Sequence, residues 1–441
     1  MVQDLGRLYL RHITLTSGVL LILIAGCGVE PSQTSSPTPT HAAPTKNLTR
    51  IEPGADAPKK AQEALILAKP GDIVEFAAGT FAFKSTLSLD VSGVTIRGMG
   101  PGKTILNFAE QGQGTGGEGL LATSKKDFKL IDLEIVDAKG DAVKVQGTDR
   151  VLFRNVRVSW SGGSKETNGG YGIYPVLCDN VLIEDCHVSG ASDAGIYVGQ
   201  SKNIILRRNT VERNVAGIEI ENSIDADVYE NFAMGNTGGI LVFTLPDLPK
   251  KEGRNCRVFK NLVAANNHPN FAPKGNIVAS VPPGTGIMIM ANDMVEVFDN
   301  RIENNQSTGV SVVSYLMTGK PIADAAYDPF CEGISIHGNK FTGNGRKPEG
   351  NLPTMLGKFL GTPLPDILFD GIVDPKKKAE PGKPIGLSIR ESDTVTFANF
   401  DASALSPEAM KAGKTPSVAR DLKAYAGEIP ALGAVTIEGI Q

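Results

Sequence analysis

The stretch DAGIYVGQSKNIILRRNTVERNVAGIEIENS, residues 193–223, states one pattern twice. A small residue and a glycine lead into an alternating strand, a polar corner follows, and an asparagine closes a second strand before the small residue and glycine return. Apolar and polar residues alternate within each copy, which is the period of a half-buried β-strand. No copy is long enough to bury an apolar face by itself, so the copies must bury it against one another.

Extending the pattern in both directions gives its period. The first apolar residue after each small residue falls at Leu120, Val143, Ile173, Ile196, Ile218, Ile240, Ile287 and Val310, in steps of 23, 30, 23, 22, 22, 47 and 23 residues. A period near 22 with occasional longer steps describes a coiled rod whose corners accept insertions. A second column keeps the same register: Asn155, Asp185, Asn209, Asn231, Asn261, Asn300 and Asn339 each follow an apolar residue by three. Asparagine tolerates tight corners and its amide both donates and accepts, so stacked corners are expected to form an inward asparagine ladder, with Asn399 continuing it.

On these phrases the chain resembles a right-handed parallel β-helix of the pectate-lyase-like superfamily. The resemblance implies an all-β rod with three short strands per coil over residues 51–400, and a capping helix before it. APKKAQEALILAKPGDIVEF supplies that helix, with Ala61, Ala64, Leu65 and Ala68 at helical spacing, and covers strand edges that would otherwise be unpaired. Residues 401–441, including ASALSPEAMKAGK and VARDLKAYAG, are expected to cover the other end.

The N-terminus reads as a targeting segment. Arg7 and Arg11 precede an apolar run from Val19 to Ile24 that closes on Ala25-Gly26-Cys27, too short to span a membrane. It resembles a bacterial lipoprotein signal over 1–27, with Cys27 as the lipidated residue; ordinary secretion with cleavage elsewhere is the alternative. A Ser/Thr/Pro-rich tether, 28–50, follows. The expected location is the cell envelope, on a lipid anchor, and by the same resemblance Gly28 favours the outer membrane. A net charge of -4 leaves no basic footprint for nucleic acid. Cys178, Cys186, Cys256 and Cys331 match no metal motif and are expected to be small buried residues, with one disulfide permitted.

The residue after each Gly-Ile pair points away from the core. Rung by rung that column reads Lys144, Tyr174, Tyr197, Glu219, Leu241, Met288 and Ser311; two residues on, it reads Gln146, Val176, Gly199, Glu221, Phe243, Met290 and Val313. Insertions at 161–170, 245–254, 266–286 and 316–333 leave from the borders of this face and are expected to wall a groove. Glu219 as base, Tyr197 as phenol donor and Lys144 as cation are the candidate catalytic residues; Tyr174, Glu221 and Phe243 are the candidate substrate-binding ones. Lyase- or epimerase-like chemistry on a polysaccharide fits this set. Glu219 and Glu221 can instead make a hydrolytic pair or hold calcium, the one cofactor contemplated. An ordinary solvated sheet face carries the same residue types.

Two further expectations stand beside these. Phrases such as SDAGIYVGQS, VAGIEIENS and GGILVFTLPDLP resemble a family of bacterial β-helix lipoproteins often encoded beside a second exported protein. That implies a scaffold docking such a partner, with Leu241, Phe243, Met288 and Met290 as an exposed apolar strip. Metal handling is the lesser alternative, resting on the same methionines; His41, His187, His268 and His337 are too scattered for a metal site. The chain lacks both the Asp-Asp and His-Gly constellation of polygalacturonase-like hydrolases and the Asp-Pro-His-Asp of mannuronan epimerases.

Overall fold

The computed structural model describes residues 47–112, 117–377, 386–405 and 417–440. The expected signal segment with Cys27, and the tether as far as residue 46, lie outside them. The first strand, Leu48–Ile51, begins within the stretch read as tether and pairs in parallel with Ile73–Phe76. The expected helix α1 (Ala57–Leu67) follows, turning Ala57, Ala61 and Leu65 inward across the end of the rod.

From there the chain coils. One face is an eleven-stranded parallel sheet running from Leu87–Leu89 to Phe397–Asn399; it includes Ala194–Gly199, Ala216–Glu221 and Gly238–Phe243 on successive rungs. The other two faces merge in one larger parallel sheet. They merge because Lys126–Val136 and Asp149–Ser159 run through the corner as single strands, whereas later coils break there into separate strands. The interior is apolar: Ile196, Val198, Ile218, Ile220, Ile240 and Val242 are buried on three consecutive rungs.

The repeated glycine has a steric cause. A Cβ on Gly217 would lie 2.6 Å from the Gly239 carbonyl oxygen of the next rung and 2.9 Å from the Asn236 amide. Real side chains do not pack so closely, and Gly195 and Gly239 are crowded in the same way.

The asparagine ladder is present, with corrections. Asn209, Asn231, Asn261, Asn300 and Asn339 stack: Asn261 Nδ2 donates to Asn300 Oδ1 at 3.0 Å, while Asn261 Oδ1 accepts from the Asn231 backbone at 2.9 Å and from Asn231 Nδ2 at 3.0 Å. Asn155 and Asp185 are not members. They stand one residue earlier, in a left-handed column with Arg208, Glu230 and Lys260 at φ of 52° to 56°, and Val156 and Cys186 occupy the ladder positions on their two rungs. The corner strain thus falls on the residue before each asparagine. Asn399 is no continuation either, since it belongs to the eleven-stranded sheet and donates to Tyr425 Oη at 2.7 Å. A second, unexpected ladder runs parallel to the first through Asn214, Asn236, Asn266, Asn305 and Asn344.

Cys178, Cys186, Cys256 and Cys331 are buried and unbridged. The C-terminal segment does more than cover the end. Tyr425 packs on Phe397 there, with ring centroids 4.9 Å apart, but residues 427–440 then run back along the flank. Leu432 N donates to Glu296 at 3.2 Å and Val435 N to Asp227 at 3.1 Å. Those carboxylates are two rungs apart, with Arg257 between them. Three extended residues span about 10 Å, which matches two rungs. Ending the chain after Gly427 removes these contacts and the half-buried Ile429, Leu432, Val435 and Ile437; the expected cost is about 3 kcal/mol, read as a lower urea midpoint.

Candidate functional site

The expected register holds throughout the outward column. Lys144 pairs with Tyr174, Tyr197 with Glu219, Glu219 with Leu241, and Glu221 with Phe243. The exposure does not hold. Tyr197, Glu219, Glu221, Leu241, Phe243 and Met290 are all buried, because the insertions close over the sheet as a roof instead of standing beside it. Val278, Val281, Tyr315 and Tyr327 from that roof pack on Tyr197, Leu241 and Phe243 in a second apolar core outside the coil. Tyr327 Oη donates to Thr244 O at 2.6 Å, and Lys251 pairs with Asp324, so the 245–254 and 316–333 loops are fastened together. Leu241, Phe243, Met288 and Met290 are therefore not an exposed landing strip.

Under the roof lies a cluster of carboxyls and phenols. The rings of Tyr171, Tyr174 and Tyr197 meet mutually at 4.4 to 4.8 Å between centroids. Tyr197 Oη donates to Glu221 Oε1 at 2.8 Å. Asn276, in the roof, donates to Asp193 Oδ2 at 3.0 Å. Glu219 Oε1 and Asp193 Oδ1 are buried without any hydrogen-bond partner. At the open end, Gln146 is exposed and Tyr174 half-buried, and Lys144 lies 4.9 Å over the Tyr174 ring and 4.0 Å from Asp141.

Burial sets the protonation states. It raises Glu219 well above the usual carboxylate range, and the nearby Asp193 and Glu221 add to the shift. Burial also raises Glu221 to about 7, against the opposing Tyr197 hydrogen bond, and Asp193 to about 7 against those of Asn276 and Tyr171. Asp141 rises to about 6 and Tyr174 to about 12, both mainly by desolvation. Burial thus favours the protonated form of Glu219, which runs against the role of base expected for it. Glu221 is the group poised to exchange a proton.

Lys144 is the second correction. It stands three rungs from Glu219, about 14 Å by strand spacing, and is engaged at the mouth by Asp141 and the Tyr174 ring, so it does not serve chemistry at Glu219. Tyr174 and Glu221 are brought together through Tyr197, whereas Phe243 is a buried neighbour of Glu221. Sequence reasoning missed Tyr171, Asp193 and Asn276. Tyr171 begins the strand that carries Tyr174, but Asn276 lies 83 residues from Asp193 in an insertion without repeat.

Gly199 is built into the site. A Cβ there would lie 2.0 Å from Tyr197 Oη, so only glycine lets that ring fold over the strand toward Glu221. Gly199→Ala is expected to cost about 1–2 kcal/mol by breaking the phenol–carboxyl bond. In a Tyr197→Ala background the same change costs much less, a difference that urea denaturation of the four proteins measures.

Among the described residues, the acidic side chains close enough to share an ion are Asp293, Asp328 and Glu332, elsewhere on the rod, with Lys377 already paired to Glu332. No helix among the described residues is long and apolar enough to cross a membrane.

Comparison with known proteins agrees on architecture. Residues 118–270 match the family model described as right handed beta helix region. An alginate lyase from Paenibacillus sp. str. FPU-7 is similar at 15% identity and a TM-score of 0.45, over 68% of this chain and 97% of its own. A mannuronan C-5 epimerase A-module from Azotobacter vinelandii is similar at 14% and 0.46, over 76% and 88%. The family 28 exopolygalacturonase of Yersinia enterocolitica is similar at 11% and 0.41, over 79% and 69%. No curated protein matches the chain. The stacked parallel sheets and the match over residues 118–270 together identify the fold as a right-handed parallel β-helix.

Proposed function

We propose that the protein binds a polysaccharide on the tyrosine-lined face and acts on it by acid/base chemistry. One observation carries this reading: a fully buried Glu219 with an unpartnered oxygen sits beside Glu221, raised to about 7, beneath three clustered tyrosines. Burying such groups is costly, and a fold that only needed spacing would place apolar residues there. Tyrosine rings cover the C–H faces of sugars, while the carboxyls and phenols meet hydroxyls. Glu219 would act as acid, Glu221 as its base partner, and Tyr197 would hold the Glu221 carboxyl in place.

The charge balance favours a neutral sugar. Asp141, Asp193, Glu219 and Glu221 share the site, and Lys144 is already held by Asp141. A uronate carboxylate would find Lys144 already paired where a lyase or epimerase needs a free cation. Hydrolytic acid/base chemistry is therefore supported better than proton abstraction beside a uronate.

A panel of neutral and uronate glycans, assayed for binding and for products, tests this with wild type, Tyr174→Ala and Glu219→Gln. Neutral glycans should bind wild type at least tenfold more tightly than Tyr174→Ala, and Glu219→Gln should yield no product. Absence of glycan binding by wild type overturns the reading. Docking of another exported protein is a second reading, resting on the exposed Leu316, Met355 and Phe359. The tether belongs to the proposal too: the Arg-flanked apolar run ending at Cys27 supports lipid anchoring in the envelope, which a Cys27→Ser variant failing to take up labelled palmitate would bear out.

A further inference from the structure

Exposed large apolar side chains are not spread evenly along the rod. Among the described residues the three most exposed are Leu67 at 76%, Ile66 at 64% and Leu48 at 55%, and all stand at the end where the first strand begins. Ile66 and Leu67 close helix α1 on the sides turned away from Ala57, Ala61 and Leu65, which face the coil. Leu48 belongs to the same corner. Its neighbour Asn47 donates to Asp72 Oδ1 at 3.3 Å, just past the helix, and its other neighbour Thr49 lines a cavity of about 330 Å³ with Ala64, Leu67 and Ala68.

A lone leucine in water needs no cause, but three around one helix end form a patch that marks a contact surface. Capping the coil does not require it, since the inward face of the helix does that. The charges around the patch cancel: Arg50, Lys59, Lys60 and Lys69 stand against Glu52, Asp56, Glu63 and Asp72. Whatever meets the patch is therefore held by apolar burial and not by opposite charge.

The tether decides what meets it. Residues 28–46 join this corner to Cys27. A chain of about twenty residues spans roughly 25 Å as a flexible coil and at most about 70 Å at full stretch. With Cys27 acylated, the bilayer is always within that reach, whereas a protein partner has to be recruited. We propose that the patch seats in the bilayer surface that holds the anchor and plants the rod by its N-terminal end. This rests on the anchoring reading of Cys27. The coils then stack outward from the membrane, with the strand of Tyr174 three spacings, about 14 Å, beyond Leu87–Leu89.

The test uses residues 27–441, which keep every described contact, coupled through the Cys27 thiol and a maleimide lipid to vesicles of phosphatidylethanolamine and phosphatidylglycerol. Cys178, Cys186, Cys256 and Cys331 are buried, so the coupling is selective, and the artificial tether works whether or not cells acylate Cys27. Leu67→Trp reports contact through quenching by lipids brominated on their acyl chains, against the background of the buried Trp160. The added emission should fall by at least half. Leu48→Ser and Ile66→Ser in that background should each lower the ratio of seated to free rods about three- to tenfold, the effect of losing most of a buried aliphatic side chain. Salt at about 0.5 M should change that ratio less than twofold, because no net charge holds the patch. Phe359→Trp, in the helix Asn351–Leu360 that packs near Leu368 and Phe400 of the last rungs, should keep its full emission.

Leu67→Trp emission indifferent to bromination overturns the inference, and so does equal quenching of Phe359→Trp. Sedimentation of untethered residues 27–441 as a dimer that Ile66→Ser dissolves also overturns it, by making a second copy the occupant. None of these results touches the anchoring reading, which fails only if Cys27→Ser takes up palmitate as wild type does.

Discussion

Glu221→Gln will make the protein more stable than wild type at pH 8, by about 3 kcal/mol, and leave it unchanged near pH 4. The sign follows from linkage. In the folded state the Glu221 carboxyl is raised to about 7 by burial, whereas in the unfolded chain it ionises near the usual value of 4.5. Between those two pH values the unfolded chain gives up its proton and the folded one keeps it, so stability declines as pH rises and levels off above about 7. Glutamine keeps the shape, still accepts from Tyr197, and has no proton to lose. Thermal melts of wild type and variant across pH 4 to 8 measure the difference. A variant less stable than wild type at pH 8 would show that Glu221 is held by charge pairing and not strained by burial. The same substitution is expected to abolish turnover of any glycan the wild type processes, because it removes the group poised to exchange a proton.

Asn261→Leu is expected to cost about 3–5 kcal/mol. Asn261 Oδ1 receives both the backbone N–H and the side-chain amide of Asn231, and its own Nδ2 donates to Asn300 and to Val228 O. Leucine fills the volume but takes the acceptor from two buried Asn231 N–H groups and a donor from Val228 O and from Asn300 Oδ1, which keeps only the bond from the residue 261 backbone. Each unmade bond costs about 1–3 kcal/mol, and the backbone donor has nowhere to turn. Asn155→Leu, on the left-handed column, is expected to cost less, because the losses are one bond to Asp132 and about 1–2 kcal/mol of backbone strain. Urea midpoints of the two variants separate a true ladder position from its neighbour.

The sequence made some of this legible and hid the rest for physical reasons. Which residues stack on which was readable, because glycine and branched residues recur wherever the next rung comes too close, and a slip by one residue would turn the whole core outward. Tyr197 over Glu219 and Glu221 over Phe243 follow from that alone. The second ladder was also readable, since Asn209, Asn231, Asn261, Asn300 and Asn339 are each followed by another asparagine five residues later. Alternation draws the eye to strands and away from such corners. The roof was not readable. Whether Tyr197 meets water or Val281 depends on the path of insertions that share no repeat, and only their folded course brings Asn276 onto Asp193. The protonation states depend on that cover: exposed, Glu219 would ionise as a base, and buried it favours its protonated form. Lys144 looked close because a column is easily read as a cluster, although three rungs separate it from Glu219.

The tail along the flank bears on how such a rod comes apart. A stack of coils held only by neighbour contacts can fray from either end, one layer at a time, with each lost layer exposing the next. Here Leu432 and Val435, near the chain's last residues, are fastened to Glu296 and Asp227, in coils laid down long before. The final coils cannot peel away while that fastening holds, and the middle cannot open without releasing it. Partial unzipping gives way to loss of the C-terminal half as one event, which deprives proteases of a ragged edge.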